Sequence, residues 1–600
     1  MSNYDIHDHA PEVNLLLEVD ASLNHLFYQE DSVREAMQDQ ISQNLTELLN
    51  VLGIPGKPKV VIIPLNIDPN HKGRFIRVLV NGLVCRYSDE LLHGVYCYVK
   101  GIPLCPENQI DILAWLNSLS LCQTEQTKDY NIDFENFIVM ACLEIINKQP
   151  AVLFGLTQTA AYLGILNEQE DGTEVKNENW PPEALWLRQV MGNLLNQRIS
   201  IADTEKVKEV IKEGLIQKRS PDDIVENLIA SLRKNDIEIL LPTDYLREIT
   251  LSDTESGHDH FQMLRDGLFY ELGILFPDFH FKYAANLKPN SFSFRINHLS
   301  TLPRIGLKSH QYLVNDTVDR LKPLNIQGIP VINPANGNEC SIIDNIYGRS
   351  AESAGLTLWD QLGYLILNFS EVLRENSQCF IHREAVKGFF EQLRLAFPTL
   401  VQIVHDRYSI EQITRILRLL IAEKIPVRNL RLILERLLDY DYIISDPSQY
   451  IIFDDRLPVL QEPDQTWIND PRNITAFVRT GMKRQISYKY TRGGNTMVVY
   501  LLDPRIEKML ANRPILPSEE TGISQLNKEE ENDKILAAVH DEIENRPNTS
   551  VMPVILTTID VRMVLHQILA PDFPRLAVIG YQELSPDLNI QPIARIDTDT

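Results

Sequence analysis

The chain has no uninterrupted apolar run near the roughly 18–20 residues that a membrane helix requires. Its opening, MSNYDIHDHAPEV, has neither the basic nor the apolar region of a secretory signal, so no export leader is expected. Cysteine is scarce: seven residues in 600, at 85, 97, 105, 122, 142, 340 and 379, with no C-x-x-C pair. That excludes a zinc-ribbon or disulfide framework by spacing and predicts reduced thiols. Positive charge is in deficit, 57 basic against 82 acidic residues. A net charge of -25 would repel a phosphate backbone, so no nucleic-acid partner is expected. Catalytic signatures are missing as well. There is no G-x-S-x-G elbow, and Gly53-Ile-Pro-Gly56-Lys57 lacks phosphate-loop spacing. No cysteine has a histidine partner legible in the sequence, and His258 and His260 lack a third metal ligand. Asp439, Asp441, Asp454 and Asp455 cluster around tyrosine-rich turns and read as caps or solvated charges. No cofactor, metal or catalytic residue is expected.

What is present is ordinary globular material, 44% hydrophobic and 23% charged. The stretch from Ser409 to Tyr440 is its most strongly patterned part. Ile413, Ile416, Leu417 and Leu420 recur at helical spacing, and Ser409 with Gln412 forms a capping box. Pro426 interrupts the pattern, having no N–H to give. Leu430, Ile433, Leu434 and Leu437 resume it. Two short helices meeting at a turn are predicted. Their outward positions carry Arg415, Arg418, Arg428, Arg431 and Arg436, either a solvated face or a surface for an acidic partner. A second basic run, Lys483, Arg484, Lys489 and Arg492, has Tyr488 and Tyr490 between its members. It would complement a helix C-terminus, or meet an acidic face of another subunit. The loops at 295–304 and 333–338 are docking candidates by position.

Read in order, residues 1–128 form an α+β subdomain, with Asn81-Gly82 marking a hairpin. Residues 129–242 are helical, 243–355 return to α+β, 356–470 are helical, and 471–600 form an α/β subdomain with an acidic linker near 511–535. The order repeats. RFIRVLVN parallels FSFRINHL, LEIINKQPAVLF parallels SEVLRENSQCFI, and LLNQRISIADTEKVKEVIKE parallels LLIAEKIPVRNLRLILERLL, at offsets of about 218–227 residues. The expected fold class is therefore α+β multidomain: two tandem copies of an α/β-plus-helical module, the first degenerate, then a C-terminal α/β subdomain.

Several segments in the second half together carry a resemblance. They are LTLWDQLGYLILNFSEVLRENSQCFIHREAVKGFFEQL, the Ser409–Tyr440 stretch, NITAFVRTGMKRQISYKY, and VILTTIDVRMVLHQILAPDFPRLAVIGYQELSPDLNIQPIARI. In this order they resemble the cytoplasmic domain of the FHIPEP family, the type III secretion and flagellar export-gate proteins. The resemblance covers roughly residues 246–600. It implies subdomains around a helical centre, assembly into a ring, and docking of chaperone-bound export substrates beneath a membrane-embedded half. This chain departs from the family pattern by lacking that half, so the role expected is docking and assembly, not conduction. The implied partners are other proteins: export substrates, chaperones, secretion components and further copies of the chain. The implied place is the cytoplasm, at the periphery of a membrane secretion complex. The alternative of another class is a small-molecule-binding enzyme or regulator reusing this fold, with its cleft in residues 13–242.

Overall fold

The computed structural model describes residues 11–23, 31–65, 75–107, 110–118, 127–167, 182–234, 236–256, 260–445, 469–511, 523–544 and 553–598. Asp454, Asp455, His258 and Cys122 lie outside them. The chain divides into two compact units, Met1–Glu384 and Ala385–Thr600.

The first unit begins with β1 (Glu12–Asp20), the helix Asp31–Leu52, β2 (Lys57–Leu65), β3 (Ile76–Val80) and β4 (Leu83–Cys85). β1 pairs parallel with β2 and antiparallel with β3, giving the order β2-β1-β3-β4. The β3–β4 reversal is Asn81-Gly82, both at positive φ (51° and 80°), the backbone that a two-residue type I′ hairpin demands. The helix Asp31–Leu52 stops at Gly53, φ 75°. Helices Thr127–Lys148, Leu156–Asn167, Pro182–Asn196, Thr204–Ile216 and Pro221–Leu232 follow. Their apolar faces close one core with the sheet, in which Leu17, Ile41, Val78, Phe137 and Leu194 are fully buried.

The same strand order then recurs. β5 (Ile237–Leu241) pairs parallel with β6 (Phe279–Tyr283) and antiparallel with β7 (Ser291–Ile296), which turns at Asn297, φ 55°, into β8 (Leu299–Ser300). β9 (Arg304–Ile305) adds to β7. An antiparallel sheet comes next, built from β10 (Gln311–Val314), β11 (Gly328–Ile332), β12 (Glu339–Asp344) and β13 (Leu358–Trp359) in the order β11-β12-β10-β13. The helix Gln361–Glu375 and a 3-10 turn at Ser377–Phe380 lead to the end of the unit.

The second unit has a helical half and a parallel sheet. Its sheet comprises β14 (Thr496–Leu502), β15 (Val554–Thr557), β16 (Val578–Gly580) and β17 (Asn589–Ile596), in the order β16-β15-β14-β17, every pair parallel. The expected acidic linker at 511–535 is different from residue 523 onward. Ile523–Glu544 is a helix, and its Ile535, Leu536 and Val539 are buried in the core over the sheet. Three apolar residues on one face outweigh the polar composition around them, because only one face needs to be buried.

Candidate functional site

The Ser409–Tyr440 stretch forms helices Ile410–Ala422 and Leu430–Ser445. Ser409 Oγ accepts the Gln412 amide at 3.2 Å, and Gln412 Oε1 accepts the Ser409 amide at 2.9 Å. Ile413, Ile416, Leu417 and Leu420 on the first helix, and Ile433, Leu434 and Leu437 on the second, are fully buried. The chain reverses at Lys424, φ 59°, with the Ile425 amide closing on the Leu420 carbonyl at 2.9 Å. The helix therefore ends on a left-handed residue, two positions before Pro426.

Beside that reversal lie four charged side chains remote in sequence. Glu423 ends the first helix, Arg479 sits in the helix Pro471–Gly481, Arg562 in the helix Ile559–Leu569, and Glu583 in the turn Tyr581–Glu583. Arg479 donates to Glu583 through Nε–Oε1 at 2.6 Å and Nη2–Oε2 at 2.8 Å, and reaches Glu423 Oε2 through Nη1 at 2.6 Å. Arg562 Nη1 also pairs with Glu423 Oε2, and its Nη2 lies 3.3 Å from Glu423 Oε1. Arg562 Nε stands 3.4 Å from Glu583 Oε1, an ionic contact without hydrogen-bond geometry. The Gly580 amide gives Glu583 Oε2 a further donor at 3.1 Å. Two cations and two anions thus balance where Arg479, Arg562 and Glu583 are at most 2% exposed and Glu423 12%, a setting in which either sign alone would be costly.

Protonation follows from the same geometry. Burial would raise the Glu423 carboxyl, but Arg562 and Arg479 outweigh it and hold the group down at about 2. Glu583 is likewise held below the usual range, with burial opposed by Arg479 and Arg562. Burial lowers neighbouring His566 despite Glu423, keeping it neutral. No member reaches solvent freely, so the quartet's capability is mechanical: it fixes the turn between the two arginine-bearing helices to the parallel-sheet region.

Of the expected site residues, Arg415 and Arg418 are half-buried, while Arg428 and Arg431 are exposed. Arg431 pairs with Glu435 at 2.8 Å and lies over the Phe397 ring at 4.8 Å. Arg436 bonds Asp439 at 3.1 Å. In the second run, Lys489 donates to the Lys424 carbonyl and stands 5.2 Å from the Tyr490 ring. This joins the run to the turn between the arginine helices. Arg484, Tyr488 and Arg492 are exposed at four-residue spacing, Arg492 closing its helix at φ 53°. Lys483 is half-buried. Neither Lys483, Arg484 nor Arg492 forms an ion pair among the described residues.

One cluster contradicts the sequence expectation. His93 has two cysteine neighbours: its Nε2 lies 3.6 Å from Cys105 Sγ, and Cys97 Sγ lies 3.4 Å from Cys105 Sγ. His93 and Cys97 stand four residues apart on one helix, a spacing the sequence reading passed over, and Cys105 is returned to them by a reversal at Gly101, φ 70°. The hydrogen bond between Cys97 and Cys105, with help from His93, holds the Cys105 thiol below the ordinary cysteine range against the opposing effect of burial.

The FHIPEP family model matches residues 226–589, and the chain belongs to that family. The low calcium response locus protein D of Yersinia pestis is 24% identical over 339 residues, 56% of this chain and 44% of that protein. The flagellar biosynthesis protein FlhA of Bacillus subtilis is 24% identical over 405 residues, 66% of this chain and 55% of that protein. The chain therefore spans about half the length of the curated relatives it matches. The solved structure of the Chlamydia pneumoniae CdsV protein matches 60% of this chain and 98% of its own, with 27% identity and a TM-score of 0.50. CdsV is also solved in a complex with CdsO, with the same identity and TM-score. His93, Cys97 and Cys105 lie outside the family-matched segment, and all four residues of the quartet lie inside it.

Proposed function

We propose that the protein is a non-enzymatic docking and self-assembling component of a type III export apparatus, working on the cytoplasmic face. The observation that carries this reading is the quartet. Glu423, Arg479, Arg562 and Glu583 come from separate segments that together resemble the family, and they meet at distances of 2.6–3.4 Å. Such a clamp supports a rigid platform whose outward cations are held in fixed places. The likeness to CdsV, which forms a complex with CdsO, supports a protein partner of that kind. No helix among the described residues is long and apolar enough to cross a membrane. Export substrates and chaperones are the partners that this reading assigns.

Self-association is assigned to the face carrying Arg484, Tyr488 and Arg492, with the arginines at 415, 418, 428 and 431 and with Lys483 and Lys489 as its basic surroundings. In a chain of net charge -25, a basic face is complementary to much of the remaining surface of a second copy. The shared orders β2-β1-β3-β4 and β6-β5-β7-β8 support reading the expected first copy, residues 1–242, as a degenerate version of the module, with its boundary moved to before Ile237 because β5 pairs with β6 and β7. So do the helix ends at Arg198 (φ 61°) and Lys424 (φ 59°), where Ile199 and Ile425 bond back to Leu194 and Leu420.

Sedimentation velocity across a concentration series tests the assembly. Growth to a defined larger species is expected, and a strict monomer at the highest concentration overturns it. Titration of the host's counterpart of CdsO onto the immobilised chain tests docking. Saturable binding is expected, and none at any concentration removes that partner.

A further inference from the structure

His93 and Cys97 stand one turn apart on the helix Asp89–Lys100, so their side chains project from the same face. The helix ends at Gly101 in the left-handed region, with the Ile102 amide bonded to the Cys97 carbonyl at 3.0 Å. That reversal carries residues 102–106 back along the helix and sets Cys105 against the pair. The ligand atoms of all three lie within 4.8 Å of one another. His93 and Cys97 are 4% and 3% exposed, whereas Cys105 is half-buried and forms the accessible side.

We propose that His93, Cys97 and Cys105 bind one thiophilic divalent cation of the zinc type. At a tetrahedral centre, Zn–S bonds of about 2.3 Å and Zn–N bonds of about 2.0–2.1 Å place sulfurs about 3.8 Å apart and sulfur and nitrogen about 3.5 Å apart. The observed separations are 3.4 Å for Cys97 Sγ to Cys105 Sγ and 3.6 Å for Cys105 Sγ to His93 Nε2. The ligand atoms of His93 and Cys97 lie within 4.8 Å of each other, so binding draws that third pair in by at most about 1.3 Å, within reach of side-chain rotation. Both sulfurs bind as thiolates, so any proton that Cys97 or Cys105 still holds leaves as the cation binds. His93 Nε2 also lies 2.8 Å from the Cys105 carbonyl oxygen, so coordination through that nitrogen replaces one hydrogen bond. Two soft sulfurs and an imidazole favour zinc over magnesium or calcium, which prefer oxygen. The fourth position is left to water.

The site has a structural consequence within the first unit. The Leu104 carbonyl, next to Cys105, accepts the Ile332 amide at 2.8 Å, so β11 is hydrogen-bonded to the segment that the metal would fix. The cation would brace the N-terminal module against the antiparallel sheet that follows β9.

The test uses the full chain, purified anaerobically with reductant, loaded with zinc chloride and freed of excess metal. One zinc per chain by elemental mass spectrometry is expected. Loading with cobalt(II) instead should give thiolate-to-cobalt absorption in the near ultraviolet and visible bands of tetrahedral cobalt. Cys105→Ser and His93→Gln should each lose that spectrum, and Cys379→Ala should retain it. Circular dichroism checks that each variant is folded. If a variant does not fold, the parent's stoichiometry and cobalt spectrum decide. Substoichiometric metal in the reduced parent overturns the proposal, as does an unchanged cobalt spectrum in a folded Cys105→Ser variant. Recovery of Cys97 and Cys105 as a disulfide with no metal bound, even under reductant, also overturns it.

Discussion

Arg479 and Glu583 face each other through two hydrogen bonds, at 2.6 and 2.8 Å, with both side chains closed to solvent. They are separated by 104 residues, and Glu423 and Arg562 complete the charge balance around them. Removing one member leaves a buried charge without its counter-ion, which typically costs about 3–5 kcal/mol. Arg479→Met should therefore lower the stability of the second unit by about that amount. Chemical denaturation of variant and parent measures it, and a midpoint within error of the parent's would refute the quartet as a structural clamp.

Acid should unfold the second unit in a defined window. Glu423 is held at about 2, against about 4.3 for an unfolded glutamate. A depressed carboxylate contributes stability that is fully present above the unfolded value. It is lost as the pH falls, because the unfolded chain then binds the proton first. Glu583 acts in the same direction. His566, lowered by burial, adds an earlier loss beginning near the ordinary histidine range of about 6.5. Melting temperatures from pH 7 to pH 3 should fall throughout and most steeply below about 4.3. A flat profile across that range contradicts the assignment.

Leu434 is fully buried on the helix Leu430–Ser445. Leu434→Asp puts an unpaired carboxylate among aliphatic side chains, and the helical centre should not hold together. Loss of a cooperative thermal transition in the second unit is the expected result. An unchanged transition would refute the packing of that face.

Arg484 is exposed and stands one turn before Tyr488, which is 69% exposed. Arg484→Glu should weaken self-association, as attraction becomes like-charge repulsion, and leave the melting temperature unaltered. Equal sedimentation of variant and parent would exclude this face from assembly.

Gly53 shows where backbone geometry admits no side chain. Its φ is 75°, and an added Cβ would stand 2.2 Å from the backbone Cα of Ala202. Backbone cannot swing aside as a lysine tip can. Gly53→Ala should therefore destabilise the first unit by more than the roughly 1 kcal/mol of an unfavourable φ alone. A loss smaller than that in a thermal melt would show that the strand–helix junction can open.

Local features were legible where their cause is local. Ser409 and Gln412 cap the helix three residues apart, and Asn81-Gly82 reverses the chain by its own backbone preference, so neither needs information from elsewhere. The leucine and isoleucine spacing likewise identifies the faces buried in helices Ile410–Ala422 and Leu430–Ser445. The helix Ile523–Glu544 was obscured because acidic residues dominate its composition while Ile535, Leu536 and Val539 bury its face.

By itself, then, the sequence determined the caps, turns, periodic faces and family of this protein, since each is encoded within a short stretch or in an ordered series of stretches. Only the tertiary structure decided which charges are neutralised and which thiols meet. Glu423 gives no sign of Arg562, and Cys105 gives none of His93, until folding removes the water that separates them. Charge pairing and ligand geometry depend on distances through space, and those distances are set by the packing of segments that the chain itself keeps far apart.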